Sequence, residues 1–330
     1  MTQILKAQFC RSRRPQKQQI GITYKDGHYH SGLADTLLPE LEEWLDAGNI
    51  ILPADPKGYP NHLNRLAYQD HEICKQPSNN TKIWRYMAFE QLVSLLTKRK
   101  LWFSRAIALQ DGDPYEGTLP EKNVSRPNAD LASEMPWLNK LSQEQLDQSV
   151  KTHRLFQEIS TLNLVSCFNA AEHESNAMWH VYGKGANCVA LTTSLGELKE
   201  CFGPFVDYDV FIGQIEYIDY SKTIMNEANY LLPLLHKSPF YSYENEIRCL
   251  ILDDGDNSLF DDHEPSPLVQ LHSEPSTPFS RGAYVPIDLN KLLKEIVIGP
   301  HAEEWFIETV QDILHKCEVD IPVKRSILLR

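Results

Sequence analysis

The chain of 330 residues carries a net charge of -13, with 42% hydrophobic and 23% charged residues. That balance is the one of a globular protein with room for a sizeable core, either as one large domain or as a domain with an appendage. It argues against sequence-independent nucleic-acid binding, which rests on excess Lys and Arg, and no stretch approaches the ~18 apolar residues of a membrane span. Seven scattered cysteines without a C-x-x-C pair fit neither a zinc framework nor a disulfide scaffold, and point to a reducing cytoplasm.

The first twenty residues carry Lys6, Arg11, Arg13, Arg14 and Lys17 and no acid. They lack the apolar run of a secretory signal and read as a solvated tail. Asp26-Gly-His28-Tyr-His30 reads as a polar loop, with a metal site as the alternative. A helix is expected from Pro39 to Ala47, between Pro at its start and Gly48 beyond its end. Gln76-Pro-Ser-Asn-Asn80 marks a boundary, giving an N-terminal extension over 1–80 with one helix and a main domain over 81–330.

In the main domain Ile83-Trp-Arg-Tyr86 predicts a strand. Phe89, Leu92, Val93 and Leu96 then follow the spacing of an amphipathic helix, and Lys98, Arg99 and Lys100 suit its C-terminal dipole. Leu101-Trp-Phe-Ser104 predicts a second strand, followed by the loop Asp111-Gly-Asp-Pro-Tyr-Glu116. Ser142 and Gln145 form a capping box for a helix reaching Ile159. Strands are expected at Asn163–Phe168, Cys188–Thr192 and Ile212–Tyr217, with a helix capped by Ser194 and Glu197 and a Leu-rich helix around 231–235. An acidic, Pro-rich insertion covers about 253–280. Glu295–Ile298, a helix bearing Phe306, Val310, Ile313 and Leu314, and a strand near Val319–Val323 complete the chain. Short mixed strands with flanking helices around a central cleft make the fold class α+β.

Tyr241-Ser-Tyr-Glu-Asn-Glu-Ile-Arg-Cys-Leu-Ile251 reads as a strand with Glu244, Glu246 and Arg248 on one face. Alternate residues of a strand rise together, so the two carboxylates would lie roughly 7 Å apart, and mutual repulsion would raise at least one pKa. The plain alternative is a charge ladder closed by Arg248. Elsewhere Arg85 has two readings, an anion contact or a side chain stacked between Trp84 and Tyr86. Ser166 reads equally as a small core residue. Asp113 and Glu116 are explained by a turn around Pro114. Cys167 with His180 is a conceivable nucleophile and base, though a thiol on an apolar strand is ordinarily inert packing.

The ordered motifs Trp84-Arg85-Tyr86, Leu101–Ser104, Gly112-Asp-Pro-Tyr-Glu116, Ser166-Cys-Phe-Asn169, Met178-Trp-His-Val-Tyr182 and Tyr243–Arg248 resemble the bacterial domain of unknown function 2971 family over residues 82 to about 300. Gly112 and Asn169 depart from its usual Asn and Ser. The order of Arg85, Ser166 and Glu244-x-Glu246 also resembles that of arginine-type ADP-ribosyltransferases. The resemblance implies NAD as a substrate. Arg85 would grip the pyrophosphate, Ser166 would orient the ribose, Glu246 would favour the cation formed as nicotinamide leaves, and Glu244 would serve the acceptor. Tyr86, Ser104, Trp179, Tyr182 and Arg248, from the same motifs, would hold the nucleotide. The expectation is an ADP-ribosyltransferase or NAD hydrolase, with a small-molecule nucleotide and a macromolecular acceptor as partners and a role as toxin or anti-phage effector by analogy. The alternatives are a carboxylate-pair glycoside or nucleoside hydrolase and a non-catalytic sensor or interaction module.

Overall fold

The computed structural model describes residues 4–9, 19–25, 29–33, 67–125, 163–183, 185–203, 208–226, 229, 231–252 and 281–328, with the single positions 44, 46, 47, 142, 144 and 147. The chain divides into two compact units, the first being Met1–Arg65 with Asp261–Glu264. In it, β1 (Ile4–Phe9), β2 (Gln19–Tyr24) and β3 (Tyr29–Leu33) form an antiparallel sheet in sequence order. The solvated-tail and polar-loop readings are corrected here. Ile4, Phe9, Ile20 and Ile22 supply strand-forming side chains, and Asp26-Gly27, a strong hairpin signal, lies between β2 and β3. Asp26, Gly27 and His28 are outside the described residues, as is most of the expected helix at 39–47, of which Trp44 and Asp46 are helical. The capped helix from Ser142 and the insertion at 253–280 also fall almost wholly outside them.

The second unit begins at Leu66 rather than near Asn80. Apolar burial explains the shift: Ala67 joins the main core, and Cys74 packs with Leu231, Leu234, Leu235 and Leu250. Its elements begin with β4 (Lys82–Ala88), α1 (Phe89–Lys98), β5 (Lys100–Arg105), α2 (Glu121–Ser125) and β6 (Leu164–Ala170). Then follow α3 (Asn176–Tyr182), β7 (Cys188–Ser194), α4 (Leu195–Cys201), β8 (Phe211–Gln214), β9 (Glu216–Tyr217) and β10 (His236–Lys237). The last are β11 (Glu246–Ile251), β12 (Gly282–Pro286), α5 (Leu289–Leu292), β13 (Glu295–Ile298), α6 (Glu304–Lys316) and β14 (Val323–Arg325). The expected final strand lies a few residues later than its sequence suggested, and the Leu-rich segment is a single 3-10 turn, Leu232–Leu235.

These elements make a mixed α+β fold around a mostly antiparallel sheet, ordered β12-β5-β6-β4-β7-β13-β14, with β11 pairing β6 and β8 pairing β11. Only β13–β14 is parallel within it. α1 buries Leu92, Leu95 and Leu96, carries Glu90 in its first turn and Lys98 in its last, and stops at Arg99 in the left-handed region (φ 51°), a charge arrangement that suits its dipole. Ser194 caps α4 by accepting from the Glu197 amide, as the sequence indicated. Among the described residues no helix is long and apolar enough to cross a membrane.

The sheet is split at β6. One edge of β6 pairs β11 along its length. The other edge is shared: β4 pairs only at Ala170 and Asn169, and β5 only at Val165 and Leu164. On its opposite edge β4 pairs β7 along its length and β5 pairs β12 from Lys100 to Ser104, and α1 connects the ends of β4 and β5 that do not pair β6. The middle of β6, Ser166 to Phe168, therefore faces an opening with no ladder partner on that side.

Candidate functional site

Register decides which side chains share a face, since directly opposed residues of antiparallel strands point the same way. Glu246 lies opposite Asn169 and Arg248 opposite Cys167, while Ser166 lies opposite Cys249. Glu246, Arg248, Cys167 and Asn169 thus share one face. Ser166 belongs to the other, with Phe168, Ile247 and Cys249. On β4, Trp84 lies opposite Asn169 and Ile83 opposite Ala170, so Arg85 joins Ile83 and Met87 on the face of the main core.

Arg85 fills the opening between β4 and β5. Its Nη1 donates to Ser166 Oγ at 2.5 Å and to the Cys167 carbonyl at 3.2 Å, and Nη2 reaches the Trp102 carbonyl at 3.5 Å. Ser166 Oγ donates to the same Trp102 carbonyl at 3.0 Å. The guanidinium replaces rungs lost where the ladders part, because buried carbonyls need a donor. Trp84 and Tyr86 do not sandwich it: they stack on each other at 6.0 Å on the opposite face, and Arg85 lies over the Phe168 ring at 5.4 Å instead. Burial draws the Arg85 pKa below its usual range, partly offset by the thiols of Cys167 and Cys249. No carboxylate pairs with Arg85 among the described residues.

The acidic side is built differently. Glu244 is not on a strand. Pro239 opens a 3-10 helix ending at Glu244, Asn245 turns left-handed (φ 37°), and β11 starts at Glu246. Pro fits the first turn of a helix and Asn tolerates positive φ, which the alternation of Glu244, Glu246 and Arg248 concealed. The two carboxylates still meet, through Lys237, whose Nζ donates to Glu244 Oε2 at 2.6 Å and Glu246 Oε2 at 3.2 Å. Arg248 Nε donates to Glu246 Oε1 at 2.7 Å, and its other nitrogens make a bidentate pair with Glu116. Tyr182 donates its phenol to Glu244 Oε1 at 2.5 Å. All four oxygens of the two glutamates thereby have a protein donor.

The expected repulsion between Glu244 and Glu246 is overturned by these cations. Burial pushes Glu246 up, but Arg248 and Lys237 more than offset it and hold it at about 2. Burial pulls Arg248 down, and Glu116 with Glu246 more than restores it, keeping it well above the guanidinium range. Burial likewise pushes Glu116 up against the pull of Arg248. Three acids and two bases, each almost wholly buried, alternate in sign from Glu116 to Glu244.

Both sets line a single cavity of about 940 Å³ with Arg85, Ser166, Cys167, Glu244 and Glu246 in its wall, near the upper end of small-molecule sites. Tyr86, Ser104, Tyr182 and Arg248 also line it. Tyr86 accepts from the Ser175 amide and Ser104 from the Trp102 indole. Arg248, with no exposed surface, is engaged by its acids. Trp179 is not in the wall: it is buried, packs edge-on against Tyr86 at 4.9 Å and donates to Glu174. Cys167 lies beside Glu246 with its thiol pushed well above the usual range by burial, and His180 bonds the Asn176 carbonyl. No group of metal-binding side chains occurs among the described residues.

No family model and no curated protein matches this chain.

Two participants escaped the sequence reading. Lys237, in a two-residue strand before Pro239, had no periodic pattern to single it out. Glu116 was read as part of a turn. Its loop was already among the quoted motifs, and its buried pairing with Arg248, 132 positions away, is what joins that motif to the late strand.

Proposed function

We propose that the chain is an NAD-consuming enzyme, an ADP-ribosyltransferase or NAD hydrolase, with an ADP-ribosyltransferase-like fold and membership of the domain of unknown function 2971 family. One observation carries the reading: Arg85, Ser166, Glu244 and Glu246, from three distant parts of the chain, line one cavity. Arg85 is the cation whose charge no protein carboxylate neutralises among the described residues, and it receives the pyrophosphate. The ribosyl carbon lies by Glu246. As the bond from that carbon to the nicotinamide nitrogen breaks, nicotinamide leaves with the electron pair, and the ionised Glu246 stabilises the sugar cation. Water or an acceptor nucleophile then bonds to the same carbon and passes its proton to Glu244. Cytoplasmic action on a macromolecular acceptor, as toxin or anti-phage effector, belongs to the same proposal.

The test is nicotinamide release from NAD by purified protein. Glu246→Gln is expected to lower the rate by about 10²–10³ while the folded protein persists in a thermal melt. An equal rate in that variant removes Glu246 from the reaction. A second reading, a non-catalytic sensor, is favoured by the mutual bonding of Arg85 and Ser166, which already occupies much of their capacity. Ligand binding without release would select it.

A further inference from the structure

We propose that Lys237 is a positioning residue of this site: its ammonium bridges Glu244 and Glu246 and holds them side by side, so that one carboxylate meets the sugar cation while the other meets the nucleophile. The inference rests on the NAD-consuming reading. Lys237 comes from β10, outside every motif discussed above, yet its Nζ is within hydrogen-bond distance of both glutamates and its side chain is 8% exposed. Its ammonium lies over the Tyr241 ring, with Nζ 4.9 Å from the centroid.

The need for this cation follows from what surrounds the pair. Glu246 has a second cation in Arg248, but Arg248 is also committed to Glu116. Glu244 has no other cation among the described residues, and its second oxygen takes the Tyr182 phenol. Facing the pair from other elements are the Cys167 thiol of β6 and Tyr217 of β9, whose oxygen accepts from the Glu246 amide. Tyr241 and Tyr243 come from the 3-10 helix of Glu244. Burial pushes all of these tyrosines and the thiol up, so they remain neutral at physiological pH and supply no compensating charge. Remove the ammonium, and two carboxylates meet in a largely dry wall. Such a pair shares a proton, as paired carboxylates elsewhere do. One of the two would then be neutral near pH 7 and unable to do its part.

The test uses Lys237→Met, which keeps the stem and deletes the charge, and Lys237→Arg, which keeps a cation. Two readouts apply: the pH profile of nicotinamide release, and the carboxyl-carbon NMR titration of glutamate-labelled protein. Lys237→Met is expected to lower kcat by about 10² and to move the acid limb of the profile upward by about one pH unit or more, with KM within about threefold, the signature of lost positioning rather than lost binding. An additional glutamate carboxyl titrating between about pH 5 and 8, beyond any present in the wild type and Lys237→Arg, should appear in Lys237→Met. Lys237→Arg is expected to restore the wild-type limb. A folded Lys237→Met protein with an unmoved limb and no new titrating carboxyl overturns the proposal. If Lys237→Met does not fold, Lys237→Gln takes its place with the same two outcomes. A wild type that releases no nicotinamide removes the NAD-consuming reading, and the titration alone then decides whether Lys237 holds the pair ionised.

Discussion

The two faces of the split sheet handle buried charge in opposite ways. On one, Glu116, Arg248, Glu246, Lys237 and Glu244 neutralise each other in sequence, each bonded by protein partners. On the other, Arg85 has, among the described residues, a hydroxyl, two backbone carbonyls and the Phe168 ring. A buried ion network is weak evidence for net stability but is costly to break, because what remains is an uncompensated charge. A cation without a counter-ion is the reverse case. It gains little by pairing within the protein, and it leaves room for an anion that the protein does not contain. The comparison separates residues whose charges neutralise one another from Arg85, which no carboxylate neutralises among the described residues.

The largest effect should come from breaking the network. Arg248→Met leaves Glu116 and Glu246 buried without their shared cation, and is expected to cost about 3–5 kcal/mol of stability, measured by denaturant unfolding. An effect below about 1 kcal/mol, the scale of an ordinary surface pair, would mean that the acids reprotonate or reach solvent, and the contrast between the faces would blur.

Arg85→Met should cost less, about 1–3 kcal/mol, the penalty of leaving the Cys167 carbonyl short of a donor. A loss equal to that of Arg248→Met would show that Arg85 belongs to the structural class after all.

Acid sensitivity sharpens the same division. Glu246 is depressed in the folded state, so the stability it contributes is fully present above the ordinary carboxylate range and is lost as pH falls through that range toward about 2. Glu246→Gln is therefore expected to flatten the acid limb of a stability–pH curve, while Arg85→Met leaves its slope unchanged. The smallest effect belongs to the exposed pair Lys75–Glu216, whose side chains are 77% and 56% exposed. Lys75→Ala should change stability by less than about 0.5 kcal/mol.

Much of the scaffold was legible from local rules. The helix α1, the cap at Ser194 and the strand β6 follow from apolar spacing, capping chemistry and the strand-favouring Val165 and Phe168, all of which act over a few residues. The site was legible only in part. Arg85, Ser166, Glu244 and Glu246 were singled out, but the face each occupies depends on strand register, which is set by pairings far apart in sequence. The splitting of β6 between two partners leaves no mark in the residues of β6 itself. Lys237 is an ordinary lysine until the fold places it between two glutamates. The segment 241–251 shows the converse error: the alternation of Glu244, Glu246 and Arg248 suggested a strand throughout, while Pro239 and Asn245, read by their backbone preferences, would have started that strand at Glu246.

Binding of ADP-ribose by titration calorimetry tests most directly whether the unneutralised cation and the acidic network serve one ligand. The account predicts one site per chain, with affinity at least about tenfold weaker in Arg85→Met, in line with losing a charge-assisted contact, and unaltered in Lys75→Ala. No binding by the wild type, or equal binding by Arg85→Met, would contradict it.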